Sequence, residues 1–207
     1  MPRPSLKSIQ RIAETKWLRL ESLKYTDKRG KARHWDRVSR ATTNETENDG
    51  IDAVAIFPIM KDNNNAMSTV LVKQYRPPLD AYTIELPAGL IDANETPQEA
   101  ALRELHEETG YVGQIKDCTI TGSLPLSPGL SDETVALVTV MIDMTIEENQ
   151  HPVQHVEEGE DIELMKVPLT SLKKTLDELH EDNECHVFLG LHCIAMGIEL
   201  GQTMARR

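Results

Sequence analysis

In KWLRLESLKYTDKRGKARHWDRVSR, apolar and polar positions partly alternate on either side of Asp27 to Gly30, which predicts two strands joined by a turn at those four residues. IDAVAIFPIM and STVLVKQYRPP are dense in β-branched residues and predict strands, separated by the polar loop Lys61 to Ala66 and ended by Pro77 and Pro78. AYTIELPAG predicts another short strand, closed by Pro87 and Gly89. After an acidic stretch, CTITGSL and TVALVTVMIDM predict strands flanking the turn-rich PLSPGLSDE. TIEENQHPVQHVEEGED shows little periodicity over seventeen residues, and loops that long in compact domains tend to be mobile and functional or else disordered. DIELMKVPL returns to strand, and TSLKKTLDELHED opens with a Thr or Ser cap and sets Leu172, Leu176 and Leu179 at helical spacing. The apolar HVFLGLHCIAMGIELG predicts a helix packed on the sheet. The fold class expected is α/β or α+β, a mixed sheet between a few helices.

The acidic stretch GLIDANETPQEAALRELHEETGY contains its own helix signals. Thr96 can cap, Pro97 suits the first helical position, Glu99 completes a capping box, and Gly110 suits the stop, which predicts a helix from Pro97 to Thr109. At 100° per residue, Glu104, Glu107 and Glu108 share one arc, while Ala101, Leu102 and Leu105 form the adjoining apolar face. Like charges at these spacings cost a helix about 0.2–0.5 kcal/mol per pair, so the acids need either a cation or free water. Oxygen ligands gathered without Cys or paired His suit Mg²⁺ or Mn²⁺, and Mg²⁺ commonly shares its coordination with substrate phosphates. An isolated acidic helix face is usually only solvated, so the residues around it must decide.

Composition narrows the field. A chain of 207 residues suits one main domain, and 39% hydrophobic with 27% charged residues is ordinary for a folded protein. The formal charge of -12, with no basic stripe, argues against general binding to nucleic acid or to anionic membranes, and an anionic ligand then needs locally gathered cations. Three cysteines, Cys118, Cys185 and Cys193, without CxxC spacing fit a reducing compartment, the cytoplasm or the nucleus. The basic, acid-free first dozen residues admit a mitochondrial presequence, which ranks behind a frayed tail.

The same stretch resembles the signature of the Nudix hydrolase family, G-x5-E-x7-R-E-U-x-E-E-x-G-U with U bulky and apolar. Gly89, Glu95, Arg103, Glu104, Leu105, Glu107, Glu108 and Gly110 match, and Tyr111 fills the last place with an aromatic. Seven fixed residues give a chance match of about 10⁻⁸ per start position. The resemblance implies a Nudix α/β/α sandwich in which Glu104, Glu107 and Glu108 hold divalent metal against a pyrophosphate. It further implies that Arg103 orients those acids, that Glu95 assists from the loop, and that the Ala88 carbonyl adds a ligand.

Beyond the motif, from Trp17 to Leu191, the chain is similar to eukaryotic ADP-ribose and ADP-sugar pyrophosphatases through KWLRLE, GKARHWDRVSR, VLVKQYRPP, IELPAGLID, SPGLSDE and the GE of EEGEDIE. Pro128 stands where ADP-ribose hydrolases carry a downstream proline. This likeness implies Mg²⁺-dependent hydrolysis of ADP-ribose to AMP and ribose 5-phosphate by a homodimer with exchanged N-terminal strands. The expected division is an N-terminal β element over residues 1–45, used in dimerisation, and a Nudix domain over 46–207. Trp17 and Trp35 would stack on the adenine, and Arg40 and Arg76 would contact the adenine side and the phosphates. Asp36 would accept from the adenine amino group, Glu85 would aid metal or substrate, and Glu160 would be the general base. Glu157, Glu158 and Glu163 compete with Glu160 for that role, and His151 and His155 read as solvated. The alternatives are the same chemistry on other ADP-sugars, 8-oxo-GDP or NADH, and a non-catalytic nucleotide sensor.

Overall fold

Asp27 makes the first turn. In the computed structural model, which describes residues 3–42, 50–156, 158–181 and 185–205, its carboxylate accepts from the backbone N–H groups of Arg29 and Lys31, each at 2.9 Å. The turn joins β2 (Leu18–Thr26) to β3 (Ala32–Arg40), antiparallel and in register from Leu18↔Arg40 to Thr26↔Ala32. The expectation of a frayed N-terminal tail is overturned. Residues Ser5–Glu14 form β1, which pairs antiparallel with β2 and completes a three-stranded sheet. Two register irregularities interrupt that pairing, one between Leu6 and Ser8 and one between Arg11 and Ala13.

The chain divides into two compact units, residues 1–53 with 122–136, and residues 54–121 with 137–207. The boundary expected near residue 45 lies outside the described residues. In the first unit the returning segment 122–136 is bound to the N-terminal sheet. Val38 bridges Ser131 in parallel, and its N–H donates to Leu130 O at 3.0 Å. Within this segment β9 (Leu124–Pro125) pairs with the first residues of β10 (Thr134–Asp143). The buried carboxylate of Glu21 is matched by Arg37 at 2.8 Å, and Arg37 also reaches Asp132 at 2.6 Å. A carboxylate so placed would be costly alone.

The second sheet, most of whose residues belong to the second unit, follows the order β12–β6–β5–β4–β10–β8, built from β4 (Ala53–Lys61), β5 (Met67–Arg76), β6 (Ala81–Glu85), β8 (Cys118–Ile120), β10 and β12 (Cys185–Val187). The short β7 (Ala88–Leu90) pairs with β4, and β11 (Ile162–Pro168) runs antiparallel to β5 from Ile162↔Gln74 to Pro168↔Ser68. Val70, Leu71 and Val72 are all buried although successive side chains on a strand point to opposite faces, so β5 is covered on both sides. On one side α3 (Leu172–Glu181) and α4 (Leu189–Ala205) bury Leu172, Leu176 and Leu191 against Phe57, Leu71, Ile84 and Val167. A third helix, α1 (Pro97–Thr109), lies against β5 and β7. The segment that showed little periodicity contains one further helical turn, α2 (Glu147–Gln150). Among the described residues no helix is long and apolar enough to cross a membrane.

Candidate active site

The helix carrying the acids starts and stops where its local signals require. Thr96 Oγ1 accepts from the Glu99 N–H at 3.3 Å while the Glu99 carboxylate accepts from the Thr96 N–H at 2.8 Å, a reciprocal capping box, and Pro97 follows at the first helical position. Gly110 ends the helix at φ 75°, and its N–H donates to His106 O at 2.8 Å.

Arg103 organises the acids. Its Nε and Nη2 donate to Glu95, both at 2.9 Å, its Nη1 donates to Glu104 at 2.7 Å and to Glu107 at 3.0 Å, and Nη2 also donates to Leu90 O at 2.9 Å. Those anions raise the Arg103 pKa still further, the hydrogen bond with Glu95 foremost. Burial works to raise the Glu95 carboxyl, but its bonds from Arg103 outweigh that and hold it below the usual range.

Glu108 is treated differently. Only 4% exposed, it accepts from the Ala88 N–H at 3.0 Å and is turned toward β7. Burial, with Glu104 and Glu160 adding repulsion and the Ala88 bond opposing, pushes its pKa up to about 8. Glu104 is likewise raised by burial, against the pull of Arg103. Gly89 is the contact point between strand and helix, because a Cβ there would lie 1.9 Å from Glu104 Oε1.

The three acids thus share one helix face as the spacing requires, yet their carboxylates have not drawn together. Among the described residues no three His, Cys, Asp or Glu side chains form a ready cation cage. The donor set still suits a hard divalent ion: oxygen only, at the edge of a buried carboxyl whose anionic form burial disfavours. Glu104, Glu107 and Glu108 are the residues to hold it, with Glu95 braced by Arg103 and Ala88 beside Glu108.

Around this centre Arg76 forms a two-point pair with Glu85, at 2.8 and 2.7 Å, and Thr83 donates a short hydrogen bond to the same carboxylate. Burial acts to raise Glu85, but the bonds from Arg76 and Thr83 prevail and lower it. A cavity of about 410 Å³ opens beside them, walled by Pro78, Leu79, His186 and Phe188. Glu160 is exposed two residues before β11, and its charge is felt by Arg76, Glu104 and Glu108. Of its competitors, Glu163 pairs with Lys73 at 3.2 Å, Glu158 is exposed, and Glu157 lies outside the described residues. His151 and His155 are both exposed, as expected of solvated side chains, and His155 also rests its ring 4.9 Å from that of His106 and donates its backbone N–H to Glu107 O at 2.8 Å.

In the first unit Trp17 and Trp35 keep 58% and 51% of their surface exposed, unusual for the largest apolar side chains. Trp35 Nε1 donates to Gly129 O at 3.2 Å, and Lys16 Nζ sits 4.1 Å over the Trp17 ring. Neither indole packs on another ring among the described residues. Strand alternation places Asp36 on the opposite face of β3 from Trp35. Arg40 donates to Glu133 at 2.5 Å, and a cavity of about 320 Å³ there is lined by Arg19, Arg37, Arg40, Asp52, Asp132 and Glu133. Asp132 and Glu133 received no role from the sequence, although both stand in SPGLSDE. A partner 93 residues away leaves no local signal.

Comparison with known proteins agrees with this geometry. The NUDIX domain family matches residues 51–185. The ADP-sugar pyrophosphatase of Mus musculus is 36% identical over 189 residues, covering 91% of this chain and 84% of the mouse protein. The ADP-ribose pyrophosphatase of Saccharomyces cerevisiae is 41% identical over 164 residues, or 78% of this chain and 68% of the yeast one, and an uncharacterised Nudix hydrolase of Schizosaccharomyces pombe is 36% identical over 91% of this chain and 88% of its own. A crystal structure of an ADP compounds hydrolase shares the fold, with a TM-score of 0.63 at 21% identity, over 86% of this chain and 84% of that one. With the acidic helix, its capping and its arginine all in place and the family matched over most of the chain, the protein belongs to the NUDIX family.

Proposed function

We propose that the protein hydrolyses the pyrophosphate of ADP-ribose, releasing AMP and ribose 5-phosphate, with Mg²⁺ as the preferred ion and Mn²⁺ as its substitute. The observation that carries this is the row of Glu104, Glu107 and Glu108 on one face of α1, ordered by Arg103 and with Glu108 buried against Ala88, an oxygen donor set that a divalent ion would join to a pyrophosphate. Enzymes of this family generally need a divalent metal. Glu104, Glu107 and Glu108 hold it, supported by Glu95 and the Ala88 carbonyl, and once bound it supplies positive charge that polarises the phosphoryl group. Arg76 spends two of its five N–H donors on Glu85, which leaves a guanidinium edge for a phosphate. Glu160 takes the proton from the attacking water. The relatives named for ADP-ribose and ADP-sugars support the choice of substrate.

The adenine half rests on Trp17 and Trp35, two large aromatics left exposed, with Arg40 and Asp36 as polar contacts. Base stacking is worth about 1–3 kcal/mol. Trp35→Ala is therefore expected to raise KM for ADP-ribose by about fivefold to a hundredfold with little change in kcat; an unchanged KM in an intact protein removes the stacking role. The exposed length of β1, with Leu6, Ile9 and Ile12 half-bare, supports a homodimer built through exchanged N-terminal strands, for which light scattering should give twice the chain mass.

Gly89→Ala would drive Glu104 from its position, since the new methyl overlaps the carboxylate. Turnover should fall about a hundredfold while the melting temperature moves by only a few degrees. Normal turnover would show that Glu104 need not stay there.

The deciding assay is product analysis with ADP-ribose and Mg²⁺, an EDTA control, and ADP-glucose, NADH and 8-oxo-GDP in parallel. AMP released fastest from ADP-ribose, and abolished by EDTA, supports the proposal. Cleavage of another compound instead keeps the metal chemistry and replaces the pocket assignment. Binding without any product would favour a nucleotide sensor.

A further inference from the structure

One side chain of the long segment before β11 reaches the acidic helix and the strand start at once. Gln154, half-buried, donates from Nε2 to Glu108 O at 2.8 Å and to Ile162 O at 3.0 Å. Both partners are carbonyl oxygens, so only the amide nitrogen can face them, which fixes the orientation of the group. Glu108 O belongs to the last turn of α1, where helix carbonyls have no partner within the helix. Ile162 begins β11, whose register on β5 is set from its first residue by the pair Ile162↔Gln74. The amide therefore ties the end of the acidic helix to the strand start that lies two residues after Glu160.

Neighbouring contacts reinforce the tie. The N–H of His155 donates to Glu107 O, a second carbonyl of that turn, at 2.8 Å, and its ring packs on His106. The backbone at Val153 passes so close to the helix end that a Cβ on Gly110 would lie 2.4 Å from Val153 N, so this crossing requires a glycine. No such fastening is needed to close a surface loop, and its two ends bracket the group assigned above as the base.

We infer that Gln154 is a positioning residue, which holds Glu160 at a fixed distance from the carboxylates of α1 by bridging Glu108 O and Ile162 O. This rests on the role given to Glu160 in the proposed reaction. The test is a cycle of four proteins, wild type, Gln154→Met, Glu160→Gln and the double variant, assayed for kcat and KM on ADP-ribose with Mg²⁺ and for melting temperature. Met keeps the length of Gln and loses the donor. Gln154→Met is expected to lower kcat about tenfold or more with KM within twofold, since small misplacement of a reacting group is costly. Glu160→Gln should lower kcat about a hundredfold or more. The double variant should be no slower than Glu160→Gln alone, because misplacing an absent base costs nothing. Wild-type kcat in Gln154→Met, or losses that multiply in the double variant, would overturn the positioning role while leaving Glu160 as the base. Wild-type kcat in Glu160→Gln would instead remove the base assignment, and the purpose given to Gln154 with it. Should the Met variant fail to fold, Gln154→Asn, too short to reach both carbonyls, makes the same comparison.

Discussion

Glu108→Gln should lower kcat by about a thousandfold, the scale of losing a principal charge-stabilising group, and yet make the metal-free protein more stable at pH 8. Both effects have one cause. The carboxylate sits in a place chosen for an anion only when a cation is present. Gln has the same length and its carbonyl can still accept from the Ala88 N–H, so the packing under β7 survives. The sign of the pH effect follows from the shift. Raised from about 4.5 to about 8 in the folded, ion-free state, Glu108 contributes stability that is fully present below pH 4.5 and is lost as pH rises toward 8. In EDTA the wild type should therefore lose a few kcal/mol across that window through this group, at about 1.4 kcal/mol per pKa unit. The Gln variant should lose less. Thermal melts in EDTA at pH 5, 6.5 and 8 measure the difference, and parallel curves for the two proteins would show that Glu108 carries no such strain.

Arg103→Ala should be strongly destabilising for a polar change in the acidic helix. It removes five hydrogen bonds and leaves Glu95, Glu104 and Glu107 facing one another without a cation. Breaking a buried pair by deleting one partner costs about 3–5 kcal/mol, and the guanidinium here is partly exposed, so about 2–3 kcal/mol is expected. For a chain of this size that is a drop of about 4–12 °C in melting temperature. Saturating Mg²⁺ should restore part of it, because an ion bound only to the folded state stabilises by mass action and now meets acids with no competing partner. A variant that melts with the wild type in EDTA would show that Arg103 does not hold the acids together.

The parts legible in the sequence were those encoded within a few residues. Thr96, Pro97, Glu99 and Gly110 define α1 by local capping chemistry, and the structure places its ends at Pro97 and Thr109. The hairpin at Asp27 was legible for the same reason. What escaped was set by distant partners or by broken periodicity. β12 has only three residues and exists through its parallel pairing with β6, a tertiary fact. In β1 the two register shifts put Leu6, Ile9, Arg11 and Glu14 opposite Tyr25, Leu23, Glu21 and Arg19, spacings of three, two and three that hide the strand from any search for period two. Gln154 carries no motif at all. Its importance comes from two carbonyls, one 46 residues away and one eight.

Those irregularities in β1 have a consequence for how the protein behaves at high concentration. β1 is the outer strand of its sheet, ten residues long and exposed throughout, and a regular strand of that kind would offer its unpaired backbone to any passing chain. Register irregularities of this kind twist a strand locally and make its free edge a poorer template for a chance incoming strand, while its exposed face stays available to the partner proposed above. Lys7, Arg11 and Glu14 add charge along the same edge. The irregularities that concealed this strand from a reading of the sequence are thus expected to disfavour indiscriminate edge pairing.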